Sequence, residues 1–123
     1  MKHLPLILRI VVAIILIQTL RFKFTGHEDS IYIFSKVGLE PYGRIGIGIL
    51  ELIAGLLLLF KKTAWAGALI TIGVIGGAIL MHLTVLGISI NNDGGTLFYT
   101  AILTFILAIC ILYIERKRLP FIN

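Results

Sequence analysis

The chain has 123 residues, 59% hydrophobic and 14% charged, with a formal net charge of +5 and a mean hydropathy of +1.06. A soluble domain carries roughly 25% charged residues, and a water-exposed helical bundle of this size needs a polar face that this chain lacks. The basic residues sit at the ends of apolar runs, a pattern of membrane-surface charge and not of nucleic-acid binding, and the lone Cys110 excludes an internal disulfide or dithiol.

Lys2 and His3 precede an apolar run from Leu4 to Leu20, interrupted by Arg9 and Gln18. The run is longer than a signal-peptide core and no small-x-small cleavage site follows it. It is expected to remain as a first span over about 4–22, with Pro5 in its first turn. Arg9 is expected to snorkel to the cytoplasmic surface. In the polar connection that follows, Thr25-x-x-Glu28 matches a capping box, Ile31, Phe34 and Val37 share a face, and Gly38-Leu39 reads as a glycine C-cap with its apolar partner. A short amphipathic helix is therefore predicted on the membrane surface or over the mouth of the bundle.

The second span is predicted over about 41–60, starting at Pro41, and Lys61-Lys62 form a cationic turn. The third, about 63–90, is long enough to tilt. Asn91–Gly95 is a turn, the fourth span covers about 96–114, and Glu115-Arg116-Lys117-Arg118 follows, with Pro120 ending any helix. Residues 1–123 are thus expected to form a single all-α domain: a transmembrane four-helix bundle with a short amphipathic surface helix between the first and second spans. Lys2, Lys61, Lys62, Arg116, Lys117 and Arg118 fall on one side, and Arg21, Lys23, Lys36 and Arg44 on the other. That asymmetry predicts a multi-pass protein of the cell membrane with both termini cytoplasmic.

Glu51 lies in the middle of the second span, where a carboxylate is expensive unless something answers it. With about 1.5 Å of rise per residue in a core about 30 Å thick, Glu51, His82, Gln18 and Arg21 fall at similar depths. Arg44, Gly48, Glu51 and Gly55 form one helical stripe; Thr71, Ala78, His82 and Ser89 form another, and Thr96, Thr100, Thr104 and Ala108 a third. One reading is a ligand pocket under the surface helix, with Glu51 and His82 as its titratable pair, Gln18 beside them, Arg21 or Arg44 as counter-ion, and Arg44 at the rim. The other is a buried structural pair of Glu51 with an arginine, His82 being satisfied by Thr84 or a nearby carbonyl. Cys110 reads as a small buried hydrophobe, and Gly73-x-x-x-Gly77 as a close helix contact or a homodimer face. His3, His27 and His82 lack metal-site spacing, so no metal is expected. The chain has no phosphate loop, serine elbow or Ser–His–Asp set.

The order of these features resembles the DoxX family of small four-helix membrane proteins. The resemblance rests on Arg9 in the first helix, RFKFTG at Arg21–Gly26, GILELIAGLLLL at Gly48–Leu59 and AILMHLT at Ala78–Thr84, and it covers nearly the whole chain. Lys23 precedes Gly26, a departure from the family's first-helix pattern, so no role is carried over to Lys23. The family name derives from a subunit of a thiosulfate:quinone oxidoreductase, and distant relatives include membrane assembly factors and cargo-handling proteins. The resemblance implies the fold far more than the function, and one reading is a subunit of a membrane redox system that touches a quinone or another small molecule and needs an electron-carrying protein partner. A non-enzymatic assembly or binding protein holding a lipid or partner helix is the alternative. A proton-coupled transporter is the third, on a scaffold that is thin for four helices without an inverted repeat.

Overall fold

The computed structural model describes residues 3–25, 28–40, 42–88, 90 and 94–118. Five α-helices lie among them, with no strand: α1 Leu4–Thr25, α2 Glu28–Lys36, α3 Tyr42–Leu58, α4 Ala64–Met81 and α5 Thr96–Ile114. A π-helical turn, His82–Leu86, prolongs α4, and a 3-10 turn, Arg116–Arg118, follows α5. The first hydrogen bond of α1 runs from the Ile7 N–H to the His3 carbonyl. Pro5 therefore sits where no backbone donor is missed.

The helix ends differ from those expected. α1 continues to Thr25, whose hydroxyl donates back to the Arg21 carbonyl. Thr25 thus closes the first helix, instead of capping the second as the Thr25-x-x-Glu28 pattern suggested. α3 stops at Leu58 because the chain turns there: the Leu59 N–H donates to the Leu56 carbonyl, and the Thr63 hydroxyl to the Leu57 carbonyl at 2.7 Å. The third run is not one helix to residue 90. It widens into the π turn at His82 and ends at Gly87, whose φ of +80° only glycine adopts without strain. Pro41, Ser89, Asn91–Asp93 and Pro120 lie outside the described residues; Gly94 and Gly95 form the left-handed end of the expected turn.

The long helices close a ring in which α1 and α4 each pack against both α3 and α5. At one end, here called the base, the start of α1, the α3–α4 turn and the end of α5 come together. The half of the bundle next to the base is tightly filled by Val12, Leu16, Leu58, Ala64, Ala68 and Ile111. Gly67 makes that packing feasible: a Cβ there would lie 2.8 Å from the Ala54 carbonyl oxygen and 3.0 Å from the Leu58 nitrogen. Small residues let membrane helices approach in this way.

At the opposite end, the mouth, α2 lies across α1, α3 and the π turn. Gly38, at φ +78°, ends α2 in a Schellman motif, with the Leu39 N–H donating to the Phe34 carbonyl at 2.8 Å and the Gly38 N–H to the Ser35 carbonyl at 3.1 Å. The inward face of α2 is Ile33, Phe34 and Val37; Ile31, expected on that face, is exposed.

The distribution of polarity is inverted relative to a soluble protein. Arg9, Arg44, Glu51, Thr71, His82, Thr104 and Glu115 are buried, while Leu6, Ile14, Ile49, Leu83, Leu103 and Ile106 are exposed. Leu4–Thr25, Ala64–Leu86 and Thr96–Ile114 are long and apolar enough to cross a membrane, with mean hydropathies of 2.0, 2.2 and 2.5. α3, with 17 residues, is shorter, but its outward stripe of Ile45, Ile49, Ile53 and Leu56 is just as apolar.

Candidate functional site

A cavity of about 710 Å³ lies inside the mouth half of the bundle, walled by α1, α3, α4 and α5 and roofed by α2. Its surface is mostly aliphatic, with Leu16, Leu50, Ile70, Val74 and Phe34 among the lining residues. Gln18, Lys23, Glu51, His82, Thr100 and Thr104 add the polar groups.

Glu51 is buried on the stripe of α3 that also carries Arg44, Gly48 and Gly55, all of them buried. Its counter-ion is Lys23, whose ammonium lies 2.8 Å from Oε1. The carboxylate is thus matched in charge by a cation of the neighbouring helix at hydrogen-bonding distance. Neither Arg21 nor Arg44 is the counter-ion of Glu51: Arg21 is exposed and does not line the cavity. Arg44 forms an ion pair with Glu40, its Nε lying 2.9 and 3.0 Å from the two carboxylate oxygens.

Arg44 also donates through Nη1 to the Lys23 backbone carbonyl. The last turn of α1 is thus held to α3 at two levels, by backbone through Arg44 and by side chain through Glu51. Gly48 makes room for this approach, since a Cβ there would lie 2.7 Å from the Phe24 ring. A signal for Lys23 exists in the sequence. Arg9, Val12, Leu16, Leu20 and Lys23 recur at three- and four-residue steps, the spacing of one helix face. The first four are buried, so Lys23 continues the inward stripe, whereas Arg21 points away from it.

His82 is buried at the first residue of the π turn. Its Nδ1 donates to the Gly87 carbonyl at 2.9 Å, and its own carbonyl accepts from the Gly87 N–H at 2.8 Å. A carbonyl can only accept, so Nδ1 carries a proton. The ring packs against Phe98, centroids 5.4 Å apart. Thr84, a partner expected for it, donates to the Leu80 carbonyl. Thr71 and Thr104 likewise bond to carbonyls of their own helices.

Gln18, Glu51 and His82 therefore share one cavity, joined by Lys23. Gly73 and Gly77 also line it. They are exposed, and a Cβ at either would meet nothing within 4 Å, so they are not a close helix contact within this chain. Tight approaches between helices fall at Gly48 and Gly67 instead. Cys110, expected to be buried, is exposed on α5. Arg9 does not snorkel outward but turns into the base, with Nη1 3.4 Å from the Leu58 carbonyl. Helix-terminal carbonyls attract a cation, which explains the inward turn. Among the described residues no three His, Cys, Asp or Glu side chains converge.

An apolar chamber with a compensated carboxylate, an ammonium and an imidazole at its wall can hold a molecule with an apolar body and a hydrogen-bonding head. A family model described as DoxX matches residues 4–84, from the start of α1 to the π turn. No curated protein and no solved structure matches the chain.

Proposed function

The chain belongs to the DoxX family of membrane proteins, and we propose that it binds a small amphipathic molecule in the mouth cavity, as a quinone-interacting or accessory subunit of a membrane redox system. The observation that carries this reading is the Lys23–Glu51 pair set into the wall of an otherwise aliphatic chamber of about 710 Å³, a volume in the range of small-molecule sites. A quinone suits it chemically. Its ring and tail match Leu50, Ile70 and Val74, and its head oxygens can accept from the Lys23 ammonium. Glu51 and His82 are groups able to exchange protons with such a head. The electrons belong to a partner protein in this reading; Gln18 orients the head, and Arg44 positions Lys23. Arg21 is left out of the binding set.

In the same reading all four long helices cross the bilayer, α3 with some help from its flanking turns, and α2 covers the outer mouth. Lys61 and Lys117 line the base, and this cationic end supports a cytoplasmic orientation of the base in the same reading. Reporter fusions at the C-terminus test that orientation: activity of a reporter that works only outside the cytoplasm would reverse it.

A second reading is favoured by the exposed Gly73 and Gly77. Two exposed glycines on the cavity wall suit the close approach of a lipid chain, a partner helix or a second copy of the chain, and so a non-enzymatic assembly or binding role. Native mass spectrometry of the gently solubilised protein, with extraction and identification of what it carries, separates the two. A bound quinone that is lost in Glu51→Gln supports the redox reading. A bound lipid or protein, no quinone, and no effect of Glu51→Gln would replace it with the second.

A further inference from the structure

The geometry points to a second site at the base of the bundle, for a phosphate-bearing anion, whose occupant is the headgroup of an acidic phospholipid. A separate cavity of about 310 Å³ lies there, with Arg9, Lys61, Lys117 and Glu115 among its lining residues. Arg9 is only 7% exposed, yet its hydrogen bonding is poor: Nη1 reaches the Leu58 carbonyl at 3.4 Å, and Nε is buried with no partner. A buried guanidinium offers five donors in a planar fork that fits phosphate oxygens, and leaving such donors unmet is unfavourable. Among the described residues three cations line the cavity with one carboxylate, Glu115, which has an interaction of its own. The cavity therefore presents positive charge in excess and a guanidinium in want of an acceptor.

The rest of the wall argues for a lipid as the source of the anion. Pro5, Leu6 and Ile114 complete the lining, and Leu6 and Ile114 are also part of the exposed apolar surface. The cavity thus runs from a cationic floor onto the surface where acyl chains would lie. Basic pockets between membrane helices bind acidic headgroups in this manner.

The test is native mass spectrometry of the full chain released from mixed vesicles of phosphatidylglycerol and phosphatidylcholine. Phosphatidylglycerol should remain as a discrete adduct and phosphatidylcholine should not. Lys61→Gln with Lys117→Gln changes two exposed side chains and should leave the fold intact. It should lower retention roughly fivefold for each lysine removed. Arg9→Lys keeps the charge but loses the fork and should lower retention by about tenfold. Equal retention of the two lipids, or unchanged phosphatidylglycerol in the double lysine variant, would overturn the site. Inorganic phosphate bound by the delipidated protein, with no lipid adduct at all, would overturn the lipid as its occupant.

Discussion

The two ends of the bundle treat buried charge in opposite ways. At the mouth, Glu51 has a cation of the same chain 2.8 Å away, and a large cavity lies beside the pair. At the base, Arg9 is buried beside dense packing, and among the described residues a carbonyl at 3.4 Å is what answers it. A charge paired within the chain is a fixed part of the fold, and removing one partner strands the other. A charge left to a weak backbone contact contributes little to folding and is open to something from outside. The difference separates groups that build a site from a group that waits for one.

The sharpest challenge to this contrast is Lys23→Met. It leaves a carboxylate with 4% side-chain exposure without a cation and should lower stability by about 3 kcal/mol in detergent unfolding. Glu51→Gln should do less, about 1 kcal/mol, because Lys23 is 17% exposed and can reach polar surroundings. The double change Lys23→Met with Glu51→Leu should recover most of the loss. A silent Lys23→Met would mean that the pair does not support the fold.

Next in size is Gly67→Ala, which sets a methyl group against the α3 backbone in the packed half and should lower stability by about 2 kcal/mol. Gly73→Ala, in the hollow half, has open space before it and should be neutral or gain up to about 1 kcal/mol from helix propensity. Equal effects of the two would remove the distinction between a tight base and an open mouth.

Smaller again is Gly38→Ala, which forces a Cβ into a left-handed position at about 1 kcal/mol. Its mark should be faster hydrogen exchange in α2, with exchange at the base unchanged. The least effect is expected of Arg9→Met in lipid-free detergent, within about 1 kcal/mol of the parent, since a poorly paired buried charge is replaced by an apolar chain of similar length. A large loss there would show that Arg9 is as structural as Glu51.

Much of the architecture was legible because membrane helices must satisfy their own backbone, so long apolar runs leave few alternatives. α1 and α5 occupy the apolar runs that begin at Leu4 and Thr96, α4 starts at Ala64 but gives way to the π turn short of residue 90, and Gly38 ends α2 as its residue type suggests. The π turn was not legible, because its end depends on a side chain, His82, bonding to Gly87, and composition does not record that. Depth arithmetic brought Gln18, Glu51 and His82 to one level, but depth says nothing about which face of α1 turns inward. Depth and the i, i+3 spacing from Gln18 point to Arg21, which is exposed, while Lys23 continues the buried Leu16–Leu20 stripe. Snorkelling is the default for a lone arginine, whereas the acceptor that draws Arg9 inward, the carbonyl end of α3 at Leu58, takes its place only once the helices are packed.

His82 and Gly87 are fastened twice, once through the backbone and once through the imidazole. The two bonds close the same pair of residues from different atoms, so losing the imidazole leaves the backbone bond to end α4, and losing the backbone bond leaves the imidazole. The stop of the helix is therefore redundant by construction.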